Sequence, residues 1–408
     1  MRFLLTVFAT FLLAFGPAAA NPSMDAGFAK FLNDEIWPEA EARGVSRETF
    51  DRAFQGVSPN LELPDLQLPG SSETVEEINF QAEFKDGSDY LSERAVAGMV
   101  RAGRELLGRH GEVLARIEKR YGVPAPIIIA IWGRESAFGN AEIPHNAFEV
   151  LGTKAWLSRR KEMFRGELLA ALEIAENGDR PVDEMRSSWA GALGQPQFMP
   201  SKFLNYAVDF DGDGKRDIWN SVPDTLASIA NYLKEHGWQT GRDWGFEADI
   251  PMAVSCTTEG PDQGRPISAY VEDGVSRVSG RTFPDHEIGE TGHVMMPAGR
   301  MGPMFVATPN FYVIKAYNNS DLYALFVGHA ADRMMGSGAF SKAWKASDRL
   351  TRGDIAKLQE KLVAKGFDVG GVDGLAGFKT RRSIGAVESE LGLPETCWPS
   401  RRLVEALR

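Results

Sequence analysis

At 408 residues, 43% of them hydrophobic and including 9 Trp and 24 Phe, the chain has material for two or three domains with substantial cores, which excludes a disordered or fibrous protein. Its formal net charge of −11 argues against nucleic acid as the main partner. The two cysteines, Cys256 and Cys397, are enough for one disulfide in an oxidising compartment, and the sequence leaves their pairing open.

Met1-Arg2, the apolar run from Phe3 to Phe15 and the small residues Ala18-Ala19-Ala20 read as a cleaved export signal over residues 1–20. No cysteine follows for lipidation, and no later stretch reaches the roughly 18 apolar residues of a membrane span, so a soluble, exported protein is expected. Asp25 to Phe54 reads as one or two amphipathic helices, and Ser58 to Ser72 as a loop. Tyr90 to Tyr121 carries an apolar stripe through Val96, Met99, Val100, Leu114 and Ile117 and is expected to be helical, with Gly122-Val123-Pro124 as its stop. Pro124 suits the first turn of the next helix.

That next helix, Ile127 to Glu135, is too apolar for a surface and delivers one glutamate to its end. A carboxyl beside Trp132 and Phe138 is partly desolvated, which favours its neutral form and suits a general acid. The plainer alternative is a rim glutamate paired with Arg134 or another cation. Asn146 to Asn177 is expected to be helical, broken near Gly152. Its basic cluster Arg159-Arg160-Lys161 is either a solvated face or a contact for an anionic substrate group. Ser187 to Ser201 interleaves Ser188, Gln195 and Gln197 with Trp189 and Phe198 and carries no charge. Amides beside aromatic rings suit sugar recognition; a structural turn is the alternative.

Asp209 to Asn220 places carboxylates at loop positions one, three, five and nine (Asp209, Asp211, Asp213, Asp217), Gly214 at the sharp turn and the Lys215 carbonyl at position seven. This is the pattern of a calcium loop, except that Asn220 replaces the bidentate glutamate at position twelve. Asp224 is the nearest residue to complete the shell. A helix from Asp224 to Gly237 follows. Frequent Gly and Pro from Asp249 to Pro309 indicate a small β-rich insertion. Phe311 to Ser320 reads as a strand-like start, Asp321 to Met335 as a helix, and Gly336-Ser337-Gly338 as a linker. Leu350 to Arg408 is a compact helical module, mildly basic from Lys345 onward with 12 Lys and Arg against 9 Asp and Glu.

Several of these stretches coincide in one family. Glu135-Ser136-Ala137-Phe138-Gly139, the Gly191 to Ser201 segment, the Asp209 to Trp219 loop, Ile229 to Trp238 and Asn310 to Ser320 together resemble the B-type lytic murein transglycosylases over most of Asp25 to Gly336. Leu358-Gln359, Gly366-Phe367, Val372-Asp373-Gly374 and Gly377 to Thr380 resemble the three-helix peptidoglycan-binding module. The resemblance implies a mainly α, lysozyme-like catalytic domain over 21–342 with a small β-containing insertion, and a peptidoglycan-binding domain over 343–408.

It further implies a periplasmic enzyme that cleaves the bond between N-acetylmuramic acid and N-acetylglucosamine without water and leaves 1,6-anhydro ends. Glu135 would be the sole catalytic carboxylate. Ser188, Gln197 and Asn318 would border the cleavage point, while Tyr232, Tyr317, Tyr323 and Phe198 would line the groove. Arg159 and Arg160 would contact substrate, and Met163 stands where the family has an aromatic. Pro196 and Gln195 sit where other members vary and receive no role. Catalysis would need no cofactor, and the Asp209 loop with Asp224 would hold a structural calcium ion. The partners implied are peptidoglycan strands and, in the wall, proteins of cell-wall synthesis or division. The rivals are a hydrolytic muramidase on the same fold and a non-catalytic wall-binding scaffold. The tail is expected to anchor the enzyme to its insoluble substrate, unless Cys397 and Cys256 bolt it to the domain it helps to fold.

Overall fold

The structure, a computed structural model, describes residues 22–68, 87–344 and 350–407. The expected export signal and residues 345–349 near the linker lie outside the described residues. The fold is mainly helical with one small sheet, and the chain divides into two compact units. Among the described residues the first comprises 22–68, His145–Met185 and Trp189–Gly191; the second comprises 87–144, Arg186–Ser188, 192–344 and 350–407. Among the described residues no helix is long and apolar enough to cross a membrane.

In the first unit, Pro22–Phe31, Trp37–Ala42, Arg47–Phe54, Ala147–Leu157 and Lys161–Glu176 are helices. Their apolar faces meet in a cluster of rings: Phe28 and Phe31 pack on Trp156, and Phe54 packs on Phe50 and Phe148. The expected break at Gly152 does not occur. The helix runs through it, and a Cβ there would lie 2.9 Å from the Phe28 ring, so the glycine serves close approach. The interruption comes instead at Ser158–Arg160.

The second unit is built on Ala125–Ser136, whose residues Ile127 to Gly133 are all buried. Glu93–Arg109, Gly111–Tyr121, Val222–Glu235 and Asp321–Met334 pack around it. The long helix expected over 90–121 is divided at His110, and Pro124 stands just outside the next helix while Pro126 occupies its first turn. Phe311 to Asn318 is helical as well, within Pro309–Asn318. The aromatic and β-branched run suggested a strand, but Thr308 accepts from the Asn310 amide as N-cap and Pro309 supplies a preset first turn, which together override that preference.

The β-containing insertion is present as an antiparallel five-stranded sheet in the order Arg265–Pro266, Thr291–Met295, Met304–Ala307, Gly245–Asp249, Ser276–Arg277. Phe246, Ile267, Tyr270, Val294 and Val306 form its core together with Cys256 and Cys397. The C-terminal region has the three expected helices, Arg352–Ala364, Phe378–Glu390 and Arg401–Ala406, around Leu358, Leu362, Ile384, Val387 and Leu403. Gln359 organises its turn: Oε1 accepts from the amides of Asp373 (3.0 Å) and Gly374 (2.7 Å), while Nε2 donates to Thr380 Oγ1 (3.1 Å).

Cys256 and Cys397 form a disulfide, with Cα atoms 6.2 Å apart, that ties this region to the insertion. Around the bond, Glu395 accepts from Ser255 Oγ (2.9 Å) and the Cys256 amide (2.6 Å), and the Arg300 amide donates to the Thr396 carbonyl (2.9 Å). The tail is therefore covalently tied to the insertion, a pairing that the sequence left open.

At the other side of the sheet, Trp244 Nε1 donates to Asp332 Oδ2 at 3.1 Å, and Gly328 lets the helix lie directly against the indole. Burial, opposed by the Trp244 hydrogen bond and reinforced by the charge of Asp243, pushes the Asp332 carboxyl up to about 7. An unfolded aspartate titrates near 4, so the folded form is the better proton binder. The sign follows: this contribution to stability is full below about pH 4 and is lost as pH rises through about 7. Asp332→Asn keeps an acceptor for the indole without the charge. Denaturant titrations at pH 5 and pH 8 should show the mutant losing less stability than wild type over that interval, by on the order of 2–4 kcal/mol.

Candidate active site

The buried helix ends abruptly one residue after Glu135. Ala137 (φ 49°), Phe138 (φ 60°) and Gly139 (φ 79°) are all left-handed, an unusual run for residues with a Cβ. Ser136 pins the turn, its Oγ accepting from the Gly139 amide at 3.0 Å and donating to the Trp132 carbonyl at 3.3 Å. Phe138 folds back edge-on against Trp132, with centroids 5.6 Å apart. The half-buried Glu135 is thus held on the last helical turn. Arg134 turns elsewhere, donating to the Tyr90 hydroxyl (3.0 Å) and lying over that ring.

The Tyr323 hydroxyl donates to Glu135 Oε1 at 2.5 Å. Tyr323 stacks on Tyr317 (6.2 Å, 12°), Tyr317 meets Tyr232 edge-on (4.8 Å), and Phe198 packs against both Tyr232 and Tyr317. The Tyr317 hydroxyl donates to the Pro196 carbonyl (2.8 Å) and that of Tyr232 to the Ala316 carbonyl (2.7 Å). Burial, and next the charge of Glu135, push the Tyr317 and Tyr323 phenols well above their usual range. Both are therefore fixed donors.

These four aromatics were expected to line a groove. Their exposures are 7% for Tyr317, 1% for Tyr232 and Tyr323 and 0% for Phe198, so the rings are largely buried and pack together beneath the carboxylate, with His236 stacked on Tyr232.

Of the polar residues, Ser188 is half-buried and closes a turn, its amide donating to the Ala192 carbonyl (2.9 Å) and its Oγ accepting from the Ala192 amide (3.2 Å). Gln197 is left-handed (φ 51°) at the tip of a small hairpin in which Leu193 and Phe198 exchange backbone hydrogen bonds, and its Nε2 donates to the Gly194 carbonyl (2.8 Å). The half-buried Asn318 ends the helix that carries Tyr317. Arg159 and Arg160 belong to the first unit and are exposed. There Arg160 approaches Asp65 (3.4 Å) and lies over the Phe164 ring.

In the Asp209 loop, Asp209, Asp211 and Asp224 bring oxygen atoms within 4.8 Å of one another. Asp224 is fully buried. It accepts from the amides of Phe210 (2.8 Å), Asp211 (3.3 Å) and Asp217 (2.9 Å), while burial raises its pKa. Asp213 and Asp217 are engaged locally, accepting from the Lys215 amide (2.8 Å) and from the Trp219 and Asn220 amides (2.9 Å each). Three convergent carboxylates are a hard oxygen donor set and fit a calcium ion.

Gln195, which the sequence left without a role, joins the two centres. Its Oε1 accepts from Trp132 Nε1 (2.8 Å), one helical turn before Glu135, and its Nε2 donates to the Trp219 carbonyl (2.8 Å) at the end of the loop. Its backbone amide donates to Ile218 (2.9 Å). An uncharged residue in a turn gives no periodic signal, so only spatial proximity reveals this. Gln195→Met should leave a buried indole N–H without its acceptor and lower stability in urea by about 1–3 kcal/mol.

A mostly helical body presents one glutamate on a helix end closed by left-handed residues, backed by buried tyrosines, and the chain's relatives place this arrangement in a class. Residues 27–332 match the family described as the transglycosylase SLT domain. The chain belongs to that family. It is 32% identical to the membrane-bound lytic murein transglycosylase B of Escherichia coli over 233 residues, 56% of this chain and 62% of that protein, so it spans less than two thirds of that relative's length. It is similar to SltB3 of Pseudomonas aeruginosa, solved in complex with NAG-NAM-pentapeptide, at 39% identity and a TM-score of 0.82 over 93% of this chain and 99% of that one. The Escherichia coli lytic transglycosylase Slt35 in complex with calcium shares the fold, at 24% identity and a TM-score of 0.58 over 78% of this chain and 94% of that one.

Proposed function

We propose that this protein is a periplasmic lytic transglycosylase of peptidoglycan in which Glu135 is both acid and base. The observation that carries the reading is the Tyr323–Glu135 hydrogen bond at the strained end of the buried helix, in a chain of this family. Glycosidases that use water or a covalent intermediate place two carboxyl groups about 5–9.5 Å apart. A transglycosylase needs one, because the nucleophile is the substrate's own C6 hydroxyl.

Protonated Glu135 donates its proton to the oxygen that joins N-acetylmuramic acid C1 to N-acetylglucosamine. The C1–O bond breaks, and the muramoyl acetamido group stabilises the cation at C1. The C6 hydroxyl then attacks C1, and the Glu135 carboxylate takes its proton as the 1,6-anhydro ring closes. The proton count returns to its start and no water is consumed. Ser188, Gln197 and Asn318 orient the acetamido group and the sugar, a positioning role. Arg159 and Arg160 serve anionic groups of the strand. Tyr323 holds Glu135 in register and keeps its own proton.

Glu135→Gln keeps the side-chain shape but can neither give nor take the proton. Turnover should fall by at least the 10²–10⁴-fold typical of acid–base catalysis, with glycan binding retained. Mass spectrometry of products from purified sacculi checks the reaction itself: anhydromuropeptides support it, whereas products heavier by one water point to a hydrolytic muramidase.

The Asp209 loop is proposed to hold calcium through Asp209, Asp211 and Asp224, with Asp213, the Lys215 carbonyl and Asp217 as further members. The ion would supply charge that the three carboxylates need to lie together, and so would stabilise the loop without taking part in catalysis. Binding to the folded state alone contributes about 2.7 kcal/mol at a concentration 100 times the Kd. Asp211→Ala with Asp213→Ala should abolish the rise in Tm that calcium gives the wild type; equal wild-type Tm values in calcium and in chelator would reduce the loop to a turn.

A further inference from the structure

We infer that Arg381, in the C-terminal helical region and outside the matched family domain, is a positioning residue for the catalytic acid, acting through Asp321 and Tyr323. The inference rests on the reading of Glu135 as acid and base.

The Arg381 side chain is 3% exposed and held on several sides. Nε and Nη2 donate to the two oxygens of the buried Glu259 at 3.0 and 2.5 Å, and Nη1 donates to the Ala376 carbonyl at 2.7 Å. Glu259 is itself fixed, accepting from the Met296 amide at 2.8 Å beside the sheet. A guanidinium clamped in this way has one orientation, and in it Nη2 also reaches Asp321 Oδ2 at 3.2 Å.

Asp321 opens the helix Asp321–Met334, its other oxygen paired with Lys315 Nζ at 2.7 Å. Burial would raise its carboxyl pKa, but the charges of Lys315 and then Arg381 outweigh that and hold it below the usual range, so it stays an anion. Two residues further along the same turn is Tyr323, whose amide donates to the capping Ser320 Oγ at 3.3 Å and whose hydroxyl holds Glu135. Within one helical turn the backbone moves as a piece. A shift of Asp321 therefore moves the phenol, and the phenol sets where the carboxyl lies. Misplacement of a reacting group by about 1 Å costs roughly 10²-fold in rate.

The contact has a structural reason to be reliable, since the Cys256–Cys397 disulfide and the paired Arg382 and Asp262 (2.8 Å to both oxygens) hold the region that carries Arg381 against the insertion that carries Glu259. On this inference the C-terminal region contributes to turnover as well as to whatever it binds.

The test is a kinetic cycle in the full chain on short soluble glycan fragments, which removes any effect of anchoring to sacculi. Arg381→Met with Glu259→Gln removes the clamp without leaving a buried unpaired charge; Tyr323→Phe removes the hydroxyl; the third protein combines them. The clamp variant should lose about 10-fold or more in kcat with KM nearly unchanged, and should lose nothing further when Tyr323→Phe is added, because both changes break one path. Unchanged kcat, a change confined to KM, or losses that multiply with Tyr323→Phe would each overturn the inference. If the clamp variant does not fold, as judged by circular dichroism, Asp321→Asn takes its place with the same readouts. A wild type that turns over no glycan would overturn the reading of Glu135 and this inference with it, whereas an active wild type indifferent to these variants overturns the coupling alone.

Discussion

A half-buried carboxyl group at the end of an apolar helix is oriented by a partner that the protein supplies. The Tyr323 hydroxyl on Glu135 Oε1 is that partner. The interaction depends on both ends being rigid. On one side, the Ile127–Gly133 core holds the helix and three left-handed residues terminate it. On the other, the tyrosine is wedged in a stack with Tyr317, Tyr232 and Phe198, whose hydroxyls are tied to backbone carbonyls where they have them. A left-handed Ala137 and Phe138 are costly backbone states, and such strain persists only where the surroundings over-determine it. Here the Ser136 hydrogen bonds and the Phe138–Trp132 contact do so.

The same rigidity extends to the Asp209 loop. Asp224 collects three backbone amides and gives the loop a buried anionic centre around which Asp209 and Asp211 converge. Gln195 then joins the loop's far end to Trp132 by two side-chain hydrogen bonds. A loop that begins at Asp209, far along the chain from the helix that ends at Ser136, would ordinarily be a separate feature; this amide makes the loop part of the wall that supports the turn after Glu135.

The C-terminal region is similarly more than an appendage. Its disulfide partner, Cys256, sits in the core of the insertion, and the buried Arg381–Glu259 pair lies beside it. Buried ion pairs give little net stability, because desolvation offsets their attraction, but they tolerate only one geometry. That trade suits a contact whose effect is to fix a relative position, and Asp321 at the start of the Tyr323 helix is what it fixes.

The sequence by itself determined the parts that follow from local periodicity and spacing: the apolar helix ending in Glu135, the acidic loop with no carboxylate at its twelfth position, the β-containing insertion and the helical character of the C-terminal module. These patterns are set by neighbours a few residues apart. It misread Gly152 as a break and Phe311 to Ser320 as a strand start, since the close approach of Phe28 and the cap at Thr308 outweigh local preference. Only the tertiary structure decided that Tyr232, Tyr317, Tyr323 and Phe198 lie buried behind Glu135, that Gln195 bridges the loop to the helix, that Cys256 pairs with Cys397, and that Arg381 reaches Asp321. Each of these joins residues far apart in the chain through packing or a directed hydrogen bond, and nothing in the spacing of a linear sequence encodes which buried donor will find which acceptor.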